Sequence, residues 1–330
     1  MDTATPTQST LPPRLIACLS AGFNLVAGRI YLIFIPVALD LLLWLGPHFR
    51  IRQVFQPLIA DWISTVQAGG SAEIINMLAA VRQLWDVLLE RFNLLSFLST
   101  LPVGVPSLLT GVAPLKNPLG AAPVYEVTSV SQVFSGFLRF SLLGLLLGSL
   151  YFGFVARSTT QPPEPFSFPR FIWETGQVLL FVLLLILIVL VLAIPVSLIT
   201  TILAMISPGL AQLAMLFMGF ILLWLFIPLV FSPHGVFAAH QNIFRSMLIS
   251  ARMVRMLFPG VGLFLLSALV LTQGMGYLWR IPPETSWLML AGILGNAYIS
   301  TGLLAASFVY YRGAVRWVED LRRNLQSVKI

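Results

Sequence analysis

Residues Leu32–Arg50 read LIFIPVALDLLLWLGPHFR, an apolar run that contains one carboxylate, Asp40, and is stopped by Gly46-Pro47. As a helix, the stretch 25–45 is long enough to cross a hydrocarbon core roughly 30 Å thick. A carboxylate within such a span costs about 2.5–3.5 kcal/mol on insertion scales, so it needs a partner, a cavity or a role.

The rest of the chain has the same character. Its 330 residues are 58% hydrophobic and only 9% charged, and the mean hydropathy is +0.92, far from the make-up of a water-soluble domain. Further apolar stretches at 134–155, 176–198, 210–231, 258–279 and 288–311 each have the length of a span, and Pro195 falls near the end of the one at 176–198. The expectation is an all-α polytopic membrane bundle of about six transmembrane helices. Residues 1–13, rich in Ser, Thr and Pro, read as a disordered tail. Residues 14–46 hold an amphipathic lead-in and the first span, and 47–133 an extracytoplasmic segment. Spans two to six occupy 134–311, with an interfacial helix at 234–257, and 312–330 forms a C-terminal tail.

Arginine placement orients the bundle. Arg157 and Arg170 follow span two, Arg245, Arg252 and Arg255 follow span four, and Arg312, Arg316, Arg322 and Arg323 follow span six. These connections alternate, so all three clusters fall on one side, the cytoplasmic one, together with both termini. This placement accounts for the formal charge of +7 without nucleic acid as a partner. Trp44, Trp279 and Trp287 fall at expected outer ends and Trp173, Tyr310 and Tyr311 at inner ends, where amphipathic rings favour the headgroup level. The single cysteine, Cys18, excludes an intrachain disulfide. The box Leu15-Ile16-Ala17-Cys18 lacks the upstream apolar core that lipoprotein processing requires.

The segment 47–133 is too long for an idle connection. Val54, Phe55, Leu58, Ile59, Trp62, Ile63 and Val66 share one helical face, and Ala68-Gly69-Gly70-Ser71 ends that helix. A second stripe runs through Ile74, Leu78, Val81, Trp85, Leu88, Phe92 and Leu95, so the two helices can pair as a hairpin. Residues 94–115 are apolar but broken by Pro102, Gly104, Pro106 and Gly111, which favours an interfacial or re-entrant stretch over a seventh span. The segment reads either as a dock for lipid or a protein partner, or as a cap over helix ends.

Asp40 lies six residues before Gly46, about 9 Å below the end of its helix, and Arg139 sits at a matching depth in span two. Two readings follow: an interhelical Asp40–Arg139 pair, or a cation or proton site on a transport path with Gln212, Gln273 or Asn296. Gly144 and Gly148, Ala291 and Gly295, and Gly302 and Ala306 have small-xxx-small spacing that lets backbones approach closely, within the chain or in a homo-oligomer. Residues 232–257 form an amphipathic helix whose Arg245, Arg252 and Arg255 suit anionic lipid headgroups of the inner leaflet. The tail repeats the pattern with Val315, Val318, Leu321 and Leu325.

Phosphate-binding loops, dinucleotide glycine fingerprints and zinc-protease motifs are missing from the sequence. His234 and His240 point to different helix faces, and Glu174 has no second acid within helical reach. No catalytic, cofactor or metal site is therefore expected, and the chain reads as non-enzymatic.

The stretch LDLLLWLGP at 39–47, the long segment after it and RSMLISARMVR at 245–255 resemble uncharacterised bacterial inner-membrane proteins. More distantly, the arrangement is similar to the membrane domain found with some glycerophosphoryl diester phosphodiesterases, without their hydrolase domain. The resemblance implies a bacterial plasma-membrane address and carries over no phosphodiesterase activity.

Overall fold

A computed structural model describes residues 12–69, 72–100 and 102–327. Most of the expected tail 1–13 and the Gly70-Ser71 half of the expected break lie outside the described residues, as do the side chains of Ile74 and Leu325.

The described residues are mostly helical. Helices α1 (Leu15–Gly28) and α2 (Phe34–Leu45) precede strand β1 (His48–Arg50), then α3 (Arg52–Gly69) and α4 (Ala72–Arg91). Short strands β2 (Lys116–Asn117), β3 (Gly120–Ala121) and β4 (Val124–Glu126) lead into α5 (Val130–Ser158), α6 (Phe168–Ile206) and α7 (Pro208–Phe226). The chain ends with α8 (Ser232–Ala239), α9 (Ile243–Met256), α10 (Phe258–Trp279) and α11 (Met289–Ser327).

Among the described residues, five helical stretches are long and apolar enough to cross a membrane: α5, α6, Pro208–Ala239, α10 and α11. A sixth is counted if α1 and the pieces after it are one broken span. The first span, expected as one helix over 25–45, is instead interrupted near its start. Arg29, at φ −141° and ψ 60°, leaves helical geometry before a 3-10 turn at Ile30–Ile33. Of the other five expected spans, 134–155, 176–198 and 258–279 fall within α5, α6 and α10, 288–311 begins one residue before α11, and 210–231 runs from α7 into a 3-10 turn at Ile227–Leu229; α6 continues through Pro195 to Ile206. Hydroxyls around that proline bond back to carbonyls of the preceding turn, Ser197 to Ile194 at 2.8 Å and Thr201 to Ser197 at 2.7 Å, so they cost little in an apolar setting. Leu187, Leu190, Ile194, Phe217, Phe220 and Trp224 are exposed along α6 and α7. A continuous apolar surface of this kind is stable against lipid, not water. The protein is a multi-pass membrane protein.

Two compact units are present. The first comprises the described parts of Met1–Ala27, Phe152–Ala268 and Gly302–Ile330, the second Gly28–Tyr151 and Leu269–Thr301. In the first, Phe231 stacks on Tyr310 and Tyr311 at 5.9 and 6.3 Å. Both tyrosines are buried, which corrects their expected place as interfacial rings: they fill a core with Phe264, Val261 and Met253. Gly22 lets α1 cross α11 closely, since a Cβ there would lie 2.5 Å from Gly302 O and Ala306 N.

In the second unit, α3 and α4 pair as expected, β1 runs parallel to β4, and β2 and β3 are antiparallel. Buried Asn93 ties these parts together. Its Oδ1 accepts from Phe49 N at 3.0 Å and Leu95 N at 3.1 Å, and Nδ2 donates to Pro47 O at 3.3 Å. The described residues of 94–115 form no span: a 3-10 turn at Leu94–Leu98 precedes irregular backbone at 99–100 and 102–115. The Gly144–Gly148 pair faces this backbone and not another helix. A Cβ on Gly144 would lie 2.6 Å from Leu98 O, and one on Gly148 would lie 2.4 Å from Val103 O. Gly148→Ala should therefore destabilise the protein by about 1–3 kcal/mol through overpacking. Gly219→Ala, where nothing lies within 4 Å, should be neutral or stabilising by about 0.5–1 kcal/mol. Thermal unfolding in detergent separates the two outcomes.

Candidate functional site

Asp40 is fully buried in α2, and its partner is the irregular segment. Leu108 N donates to both carboxylate oxygens at 3.0 Å and Leu109 N to Oδ1 at 3.2 Å, while Ser107 Oγ donates to Oδ1 as well. On the far side of the same turn, Arg280 Nε and Nη2 donate to Leu108 O at 3.1 and 2.6 Å. The peptide unit between Leu108 and Leu109 thus lies between a carboxylate and a guanidinium, its N–H toward the anion and its carbonyl toward the cation. This replaces the expected Asp40–Arg139 pair. No ion pair joins these two residues among the described residues, and Arg139 is exposed on α5. A carboxylate holding two N–H groups and a hydroxyl is already satisfied.

The connection 280–284 holds the segment at further points. Glu284 pairs with Arg91 at 2.7 Å and accepts from Leu115 N at 3.2 Å, while Trp44 Nε1 donates to Glu284 O at 2.8 Å. Trp44 is fully buried, edge-on to Trp287 at 5.8 Å, so it is a core anchor and not the headgroup ring its position suggested. Asp40→Ala should leave three donors without their acceptor and cost about 3 kcal/mol or more. Arg139→Ala should stay within about 0.5 kcal/mol. Thermal unfolding of both variants in one detergent tests this.

A second polar cluster joins α5, α6 and the α8–α9 turn. Arg157 Nη2 lies 2.6 Å from Glu174 Oε2, and both side chains are buried. Arg157 also packs 5.4 Å over the Phe166 ring. His240 Nε2 lies 3.0 Å from Glu164 Oε2 and 3.4 Å from Arg170 Nη1, and its Nδ1 lies 3.3 Å from Glu174 Oε1. No local pattern announces this cluster: Glu174 finds its partners 17 and 66 residues away. His240 closes α8 in the left-handed region, φ 49° and ψ 37°, which costs an L-residue roughly 1–2 kcal/mol; its contacts to both glutamates offset this.

Glu174, and then Glu164, favour the charged ring and raise the His240 pKa above its ordinary 6.5, against burial and Arg170. A raised histidine pKa contributes stability that is complete below the unfolded value and lost as pH rises through the folded one. The protein should therefore unfold at progressively lower temperature from about pH 6.5 upward, and His240→Gln should flatten that slope. A slope unchanged in the variant would contradict the assignment.

The three arginines expected to meet lipid all lie on α9, but the single helix expected at 234–257 is instead two, α8 and α9, because His240 takes left-handed geometry and ends the first. Arg245, Arg252 and Arg255 of α9 line a cavity of about 690 Å³, completed by Val315, Val318, Glu319 and Arg322 of α11. Four arginines against one glutamate leave an excess of three positive charges. Among the described residues none of these four arginines is held in an ion pair, and all are exposed. Arg322 was legible only as a tail arginine; α11 is one continuous helix, and this carries it to α9.

The seating of α9 explains its exposure. Ser246 donates to Ser232 O and Ser250 to Pro228 O at 2.6 Å, meeting carbonyls at a proline-rich turn. Gly235 leaves the space, since a Cβ there would overlap Ser246 Oγ. The Asn242 side chain caps α9 by accepting from Arg245 N at 2.9 Å. With the serine face buried, Phe244 and Leu248 are exposed beside the arginines. Met247, Ala251 and Val254 line a second, apolar cavity of about 760 Å³ with Phe220 and Trp224. No group of three or more metal-ligating side chains occurs among the described residues. Compared with known protein families, with curated proteins and with solved structures, the chain matches none.

Proposed function

We propose that this multi-pass protein resides in a bacterial plasma membrane with both termini in the cytoplasm, and that it is a non-enzymatic protein engaging anionic lipid. The observation that carries this reading is the cavity between α9 and the end of α11, where four arginines without an ion-pair partner among the described residues converge beside apolar side chains. Guanidinium groups match phosphate geometry in bidentate fashion, and a helix that is apolar next to a basic edge suits the boundary between acyl chains and headgroups. On this reading the arginine clusters lie on the inner leaflet and residues 47–133 on the outer side. There the exposed Leu58, Trp62, Met77 and Leu84 of the hairpin support contact with lipid or with a membrane protein partner.

The alternative is a small-solute transporter using Asp40. It is less favoured because the carboxylate is already bound by Ser107, Leu108 and Leu109. A transport site should instead offer uncommitted polar groups to solute.

The test is reconstitution into nanodiscs of zwitterionic lipid, with and without an acidic phospholipid. The acidic lipid should raise the unfolding temperature, and Arg245→Ala, Arg252→Ala and Arg255→Ala combined should remove most of that increment. An increment equal in the wild type and the triple variant would refute the reading.

A further inference from the structure

The apolar cavity between α6, α7 and α9 and the basic cavity between α9 and α11 share one side chain, Arg255, which lines both. Around the first, Arg255 is the single charged residue among aliphatic and aromatic side chains, including Ile188, Phe220, Trp224 and Ala251. Around the second it is one of four arginines. The helix that separates the two cavities turns a different face to each. Met247, Ala251 and Val254, at spacings of four and three, face the apolar side, and Arg245, Arg252 and Arg255, at spacings of seven and three, face the basic one.

From this arrangement we infer a stoichiometric site for one acidic glycerophospholipid that carries two phosphates. The inference rests on the lipid-engaging reading above and goes beyond a general attraction to charged membrane. An acyl chain lies in the apolar cavity, the first phosphate sits at Arg255, and the remaining headgroup, with its second phosphate, occupies the basic cavity against Arg245, Arg252 and Arg322. Each cavity has the size of a small-molecule site. The charge balance selects the headgroup. A lipid with one phosphate would leave about two of the three excess positive charges uncompensated, whereas a two-phosphate lipid leaves about one. A free phosphate would satisfy the arginines yet leave the apolar cavity without an occupant, so the source of the anion is a lipid.

The experiment is a titration of the purified full chain in neutral detergent, read by native mass spectrometry. The probes are cardiolipin (two phosphates), phosphatidylglycerol (one phosphate), phosphatidylethanolamine (no net charge) and inorganic pyrophosphate as competitor. Cardiolipin should form a one-to-one adduct at least tenfold tighter than phosphatidylglycerol, and pyrophosphate should displace it poorly. Arg255→Ala should weaken the adduct tenfold or more, and Arg255→Lys, which keeps charge but loses the planar fork, by an intermediate factor. Ala251→Phe fills the apolar cavity without altering charge, and should weaken cardiolipin tenfold or more. Size-exclusion profiles matching wild type confirm that each variant is folded; should Ala251→Phe fail there, Ala251→Leu serves in its place.

Equal affinity for both acidic lipids, with no effect of filling the cavity, would overturn this inference and leave the general attraction to acidic lipid standing. Equal binding of all three lipids would remove both. Displacement by pyrophosphate at concentrations matching cardiolipin would identify a free-anion site and also overturn the proposal.

Discussion

The second unit depends on one peptide group held between opposite charges. Asp40 takes the N–H of Leu109, Arg280 takes the carbonyl of Leu108, and that pair pins the irregular backbone at 107–109. Backbone without helix or sheet pairing must have its polar groups satisfied at every point where water is excluded. A buried carboxylate answers the N–H groups, and a guanidinium fork answers the carbonyl. The two charges compensate each other through the peptide dipole between them. A direct ion pair would have left the segment unpinned, so the bridged arrangement explains why an acid persists in an otherwise apolar helix.

Other contacts around the segment follow the same logic. Gly144 and Gly148 remove side chains where its carbonyls approach α5. Asn93 serves Pro47, Phe49 and Leu95 at once, and Glu284 serves Arg91 and Leu115. These residues act on backbone groups more than on other side chains, as expected where chain irregularity, and not side-chain packing, is the main cost.

The helical architecture could be read from the sequence because long apolar runs and arginine placement are local signals. Residues 134–155 and 258–279 fall inside α5 and α10, and Arg245, Arg252 and Arg255 do share a face. The partner of Asp40 could not be read in this way. Ser107 lies 67 residues away in a stretch without periodicity, so matching helix depths pointed to Arg139 instead. The same limit hid Glu164, Arg170, Glu174 and His240, which come together only after α6 and the α8–α9 turn are in place. Trp44, Tyr310 and Tyr311 show a related failure. An aromatic residue at the end of a span has two stable settings, the headgroup region and a packed core, and hydropathy does not distinguish them. The break at Arg29 has no local signature either, because an arginine near a helix end is as compatible with snorkelling as with an interruption.

The most direct measurement of the central interaction is amide hydrogen exchange at Leu108 and Leu109 in the detergent-solubilised protein. Bonded to Asp40, both amides should exchange at least about a hundredfold more slowly than in an unstructured peptide, and Asp40→Ala should remove most of that protection. Rapid exchange in the wild type, or protection that survives loss of the carboxylate, would contradict the account.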